Sequence, residues 1–238
     1  MTYSQLLTDK TVVVPGGTGN VGEGIVRQFL RAGARVIVPS RTESRLNDLR
    51  GHLGADADRL VGVTASYGTF DEADAFADSL GQVDHVVTSV GGWWSGATVW
   101  QTTADDWQRF FVEPATTHFA LLRSFLPRLE EDGSYTAIAG FSSQSPYPGA
   151  GIVSMQGAAQ LMMRDVVSAE LRGQRRVNDL VLGPIINRTR PNGDPSWATA
   201  DDVGEIAVLL AASAVSDARI NLENQHQLAE AKARIADR

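Results

Sequence analysis

The sequence predicts one α/β domain: a doubly wound parallel sheet of about seven strands with helices on both faces. Two observations predict this fold. Short β-branched runs alternate with segments of helical periodicity along all 238 residues, as in consecutive βαβ units. A glycine cluster follows the first of these runs and opens the first helix. No linker, repeat or low-complexity segment interrupts the alternation, so residues 1–238 are expected to form a single domain.

The N-terminal strand, turn and helix predict a dinucleotide site. Val12–Val14 have the composition of a buried parallel strand, and helical spacing starts at Val21. We expect Gly16 to make the tight turn between them, while Gly19 and Gly22 let the backbone approach a ligand and the sheet. The free N–H groups at the helix start are then available to phosphates. The residues of this unit that are expected to bind the dinucleotide are Gly16, Thr18, Gly19, Asn20, Val21 and Gly22.

The end of the second strand, expected over residues 35–38, predicts which dinucleotide binds. A carboxylate at this point binds the adenosine ribose and repels a 2′-phosphate, whereas an arginine accepts that phosphate. Ser40 and Arg41 follow the strand, Arg45 lies one helical turn on, and the first acid is Glu43. We therefore expect NADP(H) to be favoured over NAD(H). The alternative is that both arginines are solvated residues at the start of a helix.

The remaining elements follow from periodicity. Further strands are expected at 60–63, 85–89, 135–139, 177–182 and 220–222, and further helices at 44–53, 71–80, 104–127, 153–171 and 199–210, with a helix-prone tail from Gln225. Pro114 is expected to kink or split the fourth helix. His85 begins a strand and His118 lies within a helix, so both are expected to be structural.

Composition excludes several classes of function. The absence of cysteine excludes disulfides, thiolate-bound zinc and a thiol nucleophile, and no His/Asp/Glu cluster has metal-ligand spacing. The net charge of −7, without a stripe of basic residues, argues against nucleic acid as a partner. No apolar run is long enough for a membrane span and no signal peptide is visible, so we expect a cytoplasmic protein without a membrane partner.

From residue 8 to 224 the sequence resembles the short-chain dehydrogenase/reductase (SDR) superfamily. The matching landmarks are the glycine turn, Ser40-Arg41, the turn at Gly91, Trp107, Arg176-Val177-Asn178 and Gly183-Pro184-Ile185. The resemblance implies a Rossmann-type fold, NAD(P)(H) bound across the strand ends, oxidoreductase activity on a carbonyl or alcohol, and dimers or tetramers. The cofactor contacts that it adds are Ser66, Tyr67, Ser89, Val90, Gly91, Ile185 and Asn187.

The same alignment predicts that the superfamily's catalytic tetrad is missing. The positions expected to hold asparagine, serine, tyrosine and lysine are occupied by Pro114, Gly140, Val153 and Gly157. The chain has only two lysines, Lys10 and Lys232, so no shift of register restores the catalytic lysine. The usual mechanism, in which a lysine lowers the pKa of a tyrosine, is therefore predicted to be absent.

Some polar and aromatic residues near these positions are candidate substitutes. Ser142 and Ser143 are candidates for the missing proton donor, although ordinary loop polarity explains them equally well. The residues expected to line a substrate pocket are Trp93, Trp94, Gln144 and Arg188. The alternatives are a packing or dimer-contact role for at least one tryptophan and a solvated arginine on a mobile loop.

Two functions follow from this pattern. The first is an NADP(H)-binding SDR oxidoreductase homologue with a non-standard active site, acting, if at all, on an activated small molecule. The second is a catalytically inactive or non-redox SDR-fold protein that serves as a nucleotide sensor or partner-binding module. A homodimer or homotetramer is expected, formed through the fourth and fifth helices and the apolar residues Phe110, Phe111, Phe119 and Leu122.

Overall fold

A computed structural model describes residues 2–237 and contains one parallel sheet of seven strands, in the order β3-β2-β1-β4-β5-β6-β7. The strands are β1 Thr11–Val13, β2 Arg35–Ser40, β3 Leu60–Thr64, β4 Val83–Thr88, β5 Leu129–Gly140, β6 Arg176–Leu182 and β7 Arg219–Leu222. The strand order reverses between β1 and β4, which places a crevice at their carboxyl ends. The predicted fold class is confirmed.

Helices cover both faces of the sheet. They are α1 Asn20–Arg31, α2 Glu43–Leu53, α3 Phe70–Leu80, α4 Ala104–Trp107, α5 Glu113–Phe125, α6 Gly151–Leu171, α7 Ala200–Ala212 and α8 Gln225–Ala236. Short 3₁₀ turns occur at Tyr3–Gln5, Gly54–Arg59, Val99–Gln101, Leu126–Arg128 and Phe141–Ser143. None of the helices within residues 2–237 is long and apolar enough to cross a membrane.

Alternation along β1 divides the core into two layers. Val12 and Val14 pack with α1, α2, α7 and α8 on one face of the sheet, and Val13 packs with α3, α5 and α6 on the other. Successive strand residues point to opposite faces, so three consecutive valines serve both layers.

Several element boundaries differ from the sequence prediction by one or two residues, such as those of β4, which spans Val83–Thr88 rather than 85–89, and two places differ by more. β5 begins at Leu129 rather than Tyr135, because its register against β4 shifts between the partners of Val83 and His85. The partly exposed polar residues 130–132 obscure this first part of the strand in the sequence. The interruption predicted at Pro114 takes the form of a π turn, Gln108–Val112, which joins α4 to α5. Proline has no N–H to donate, and a π turn accommodates the missing bond without ending the helix.

Candidate functional site

The turns that follow β1 and β4 pack directly against each other at the crevice. Gly16 has φ +82°, and a Cβ atom there would lie 2.2 Å from the carbonyl oxygen of Ser89. The Ser89 N–H donates to the carbonyl of Pro15 at 2.8 Å. Only glycine can adopt this positive φ and leave room for the Ser89 carbonyl oxygen, so Gly16 allows the two turns to pack against each other.

The start of α1 forms a cradle of backbone N–H groups. Its N-cap residue is Gly19, and no side chain in residues 2–237 caps the helix. The N–H groups of Asn20, Val21 and Gly22 lie in the first turn, where a helix offers no carbonyl partner. A Cβ on Gly22 would lie 2.1 Å from the carbonyl oxygen of Gly16, so the turn closes onto the helix. This geometry fits the phosphates of a dinucleotide.

Positive charge lies beside this cradle at the carboxyl end of β2. Arg41 and Arg45 are exposed, and neither forms an ion pair or hydrogen bond with any side chain that the structure describes. Ser40 is buried, and its hydroxyl donates to the carbonyl of Thr42 at 3.1 Å. The nearest acid, Glu43, accepts from Thr64 Oγ1 at 3.2 Å and lies 3.6 Å from Arg50. That carboxylate is therefore engaged away from the two arginines.

Tyr67, on the loop after β3, is hydrogen-bonded to the glycine turn after β1. Its hydroxyl oxygen accepts from the N–H of Gly16 at 3.2 Å, and Ser66 precedes it on the same loop. Burial raises the pKa of the Tyr67 hydroxyl. The three loops after β1, β3 and β4 thus meet in one place.

A buried histidine holds the turn after β4. His118 Nε2 lies 3.2 Å from the carbonyl oxygen of Val90, and its side chain is buried. Burial lowers the pKa of His118 to about 4, so the ring is neutral at pH 7 and its Nε2–H is the group that donates. Gly91 follows with φ +120°. The sequence gives no signal for this contact, because it joins residues 28 positions apart.

The four positions aligned with the tetrad lie on α5, β5 and α6. Pro114 is in the first turn of α5, Gly140 ends β5, and Val153 is half-buried in the first turn of α6. Gly157 is buried, and a Cβ on it would lie 2.7 Å from the Cβ of Ser143. The turn Phe141–Ser143 therefore occupies the space that the Cβ of a larger residue at position 157 would need.

The two serines of this turn have different surroundings. Ser142 is buried, and its Oγ lies 4.0 Å from the Cβ position of Gly140. Ser143 Oγ is also buried and has no hydrogen-bond partner in residues 2–237. Gln144, the next residue, is exposed.

Aromatic residues line the loops that follow β4 and β5. Trp93 meets Tyr147 edge to face, with ring centroids 4.9 Å apart and planes at 89°. Trp94 stacks instead on Phe110 of the π turn, at 5.1 Å. The two tryptophans therefore have separate partners. The packing of Trp94 on Phe110 is compatible with the alternative that one of the two tryptophans has a packing role. The sequence did not predict the contact of Tyr147 with Trp93, because loop residues have no periodicity to place them.

The loop after β6 is held by polar contacts. Asn187 Oδ1 accepts from the N–H groups of Thr189 and Arg190 at 2.9 and 3.1 Å, and its amide donates to the carbonyl of Ile185 at 3.2 Å. Arg188 Nε lies 3.1 Å from Glu23 Oε2. The predicted ligand contacts of Asn187 and Arg188 thus compete with existing partners, and both roles stay predictions.

Glu23 was not among the predicted site residues, although it anchors that loop. Its buried carboxylate also lies 2.8 Å from Arg27, and these two arginines hold the pKa of Glu23 below its usual range against the opposing effect of burial. A glutamate between two glycines carries no sequence signal for a partner 165 residues away.

Comparison with known proteins gives the family. A family model described as enoyl-(acyl carrier protein) reductase matches residues 17–219. The chain is 28% identical to 1-deoxy-11-beta-hydroxypentalenate dehydrogenase from Streptomyces exfoliatus, over 92% of this chain and 88% of that protein.

Solved structures share the fold. A short-chain dehydrogenase/reductase from Brucella melitensis superposes with a TM-score of 0.81 and 21% identity, covering 94% of this chain and 98% of that one. A metagenomic short-chain oxidoreductase in complex with NADP superposes with a TM-score of 0.78 and 19% identity, covering 92% and 99%. Together with the match to the family model, the glycine cradle and the strand order, these findings establish that the chain belongs to the short-chain dehydrogenase/reductase superfamily.

Proposed function

We propose that this SDR-family oxidoreductase binds NADP(H) and acts on an activated small molecule through a non-standard active site. One observation carries the proposal: the uncapped N-terminus of α1 lies in the same crevice as Arg41 and Arg45, two exposed arginines that no described carboxylate pairs. Solved structures of the same fold that contain bound NADP support the choice of cofactor.

Each part of the crevice has a role in this proposal. Asn20, Val21 and Gly22 donate backbone N–H groups to the pyrophosphate, and Arg41 and Arg45 bind the 2′-phosphate. His118, through Val90, fixes the turn beneath the nicotinamide end. When bound, NADPH supplies a hydride to the substrate.

The non-standard site follows from the residues at the four tetrad positions. Val153 and Gly140 offer neither a proton donor nor a hydroxyl to hold an oxyanion. The close contact of Gly157 with Ser143 leaves no room for a lysine. General acid catalysis contributes about 10²–10⁴-fold, and one oxyanion donor about 10²–10³-fold. An unactivated ketone is therefore a poor substrate, and an acceptor that needs no proton is favoured.

The second candidate is a binding module that senses the nucleotide without turnover. The replacement of all four tetrad residues favours it. The aromatic residues at the strand ends favour the enzyme, because a sensor has no need of a substrate wall. Turnover separates the two candidates, since both bind the nucleotide.

Cofactor titration tests the proposal with matched variants at the N-cap of α1. NADPH is expected to bind at least tenfold more tightly than NADH. Gly19→Asp places a carboxylate that caps the helix and repels phosphate, so it should abolish binding while preserving the fold. Gly19→Ala adds the Cβ without the charge, and it should retain most of the affinity. Equal or tighter binding of NADH, or unchanged binding by Gly19→Asp, would contradict the proposal.

A further inference from the structure

We propose that Trp93 and Tyr147 form a cation-binding corner that receives a preformed iminium ion as the hydride acceptor. This inference rests on the proposed function, because it names the substrate class of the same site.

The corner lies at the edge of the sheet where the loops after β4 and β5 leave their strands. Trp93 is on the loop after β4, and Tyr147 is on the loop after β5, whose last residue is Gly140. These strands are neighbours, with Thr88 paired to Ala137, so both loops leave the same edge of the sheet. A hydrogen bond from the N–H of Gly96 to the carbonyl of Gly149 at 3.0 Å holds the two loops together.

The two rings have the geometry of an aromatic cage. Their planes meet at 89° with the edge of one ring against the face of the other, so the pair forms a right-angled corner. Trp93 is 58% exposed and Tyr147 is 52% exposed, so both residues are accessible from solvent. Aromatic faces attract cations, and cages of this kind bind substituted ammonium groups.

The protein's own cations occupy other rings. Arg109 lies 5.2 Å over Phe110, and Arg123 lies 5.5 Å over Phe70. Among the described residues, no arginine or lysine lies over Trp93 or Tyr147. The corner is thus free of the protein's own cations and open to an external one, in a protein whose net charge of −7 attracts cations.

The absence of a proton donor at the tetrad positions also favours an iminium ion as the substrate. In the hydride step, the iminium carbon accepts a hydride from NADPH and a C–H bond forms. The π electrons of the C=N bond become the nitrogen lone pair, so the substrate is reduced to a neutral amine and NADPH is oxidised to NADP⁺. No proton enters this step. Val153 and Gly157 supply none, and the substrate requires none.

A pair of probes with the same bicyclic shape tests the inference. N-methyl-3,4-dihydroisoquinolinium carries a permanent positive charge, whereas 1-tetralone is neutral. Calorimetry with the full-length protein should show the cation binding about tenfold or more tightly than the ketone. With NADPH present, the cation should be consumed above the rate without protein, and 1-tetralone should not.

Variants locate the site. Trp93→Ala should weaken cation binding about tenfold and leave the weak ketone binding unchanged, while Trp93→Phe and Tyr147→Phe, which keep an aromatic face, should stay within about threefold of the wild type. Trp100→Ala is the control, because Trp100 is 84% exposed on the same loop and makes no aromatic pair among the described residues.

Three outcomes overturn the inference. They are equal affinity for the two probes, unchanged cation binding in Trp93→Ala, and cation binding without NADPH-dependent reduction. Failure of the proposed function is visible separately, because it removes NADPH binding in a titration that contains no substrate probe.

Discussion

A Cβ atom on Gly157 would lie 2.7 Å from the Cβ of Ser143, so α6 and the turn Phe141–Ser143 approach more closely than any residue larger than glycine permits. The sequence alignment predicts that Gly157 stands at the superfamily's lysine position. A larger side chain at residue 157 would displace the turn unless residue 143 also became smaller.

This contact predicts the effect of Gly157→Ala. The added methyl group overlaps Ser143, and overpacking of this kind costs about 1–3 kcal/mol of the free energy of unfolding. Ser143→Gly removes the opposing Cβ, so the double variant should recover about 1 kcal/mol or more relative to additivity, as measured by urea denaturation.

Gly51→Ala is the matched control for that experiment. Gly51 lies within α2, and a Cβ there would meet nothing within 4 Å. This variant should stabilise the protein by about 0.5–1 kcal/mol through helix propensity. Destabilisation by both alanine variants would show that close packing is not the cause.

Arg41 should determine cofactor preference. A charge-assisted bond to phosphate contributes about 1.5–3 kcal/mol, so Arg41→Ala should raise the Kd of NADPH about tenfold or more and leave that of NADH nearly unchanged. Arg35→Ala is the control, because Arg35 is exposed at the opposite end of β2. Equal losses for both cofactors would assign Arg41 a structural role instead.

His118 should act on NADPH through the Val90 carbonyl. His118→Leu removes the donor, and we expect NADPH affinity to fall about threefold to tenfold and amide exchange at residues 90–92 to accelerate. His118→Gln keeps an N–H at a similar reach and should restore both. His85 is the comparison, because it is equally buried but hydrogen-bonded to Ser134 at 2.9 Å. If His85→Leu lowers the NADPH affinity as much as His118→Leu does, the loss in His118→Leu is due to general destabilisation of the fold.

The two buried histidines also predict acid sensitivity. Burial lowers the pKa of His118 to about 4 and that of His85 to about 3, against about 6.5 in the unfolded chain. The unfolded state therefore binds more protons below pH 6.5, and stability falls as pH falls from there to each folded pKa. Each histidine contributes a slope of up to about 1.4 kcal/mol per pH unit. Denaturation at pH 7, 6 and 5 measures it, and His118→Leu should reduce the slope.

Self-association is expected mainly through the exposed face of α6, because most of the apolar residues that the sequence suggested for the interface have partners within their own chain. Leu122, expected at the interface, is buried in the core, and Phe110 and Phe111 stack on tryptophans of their own chain. The exposed apolar residues that remain near them are Phe119 on α5 and Met155, Met162 and Val166 on α6.

Met162→Glu should therefore convert a dimer or tetramer to smaller species. Sedimentation velocity at micromolar concentration measures the change, because a charge at an apolar interface costs several kcal/mol when desolvated. Ala229→Glu, on the exposed face of α8, should leave the sedimentation coefficient unchanged. A wild-type protein that is monomeric under these conditions would contradict the expectation.

The sequence by itself determined the alternation of strands and helices, the glycine turn and the arginines after β2. These features depend on local periodicity and turn chemistry, which neighbouring residues specify. The tertiary structure alone decided that Ser143 packs on Gly157, that Glu23 binds Arg188 and that Trp93 meets Tyr147. Such contacts join residues distant along the chain, and their partners are set by how loops leave the sheet edge and pack, which no local pattern encodes.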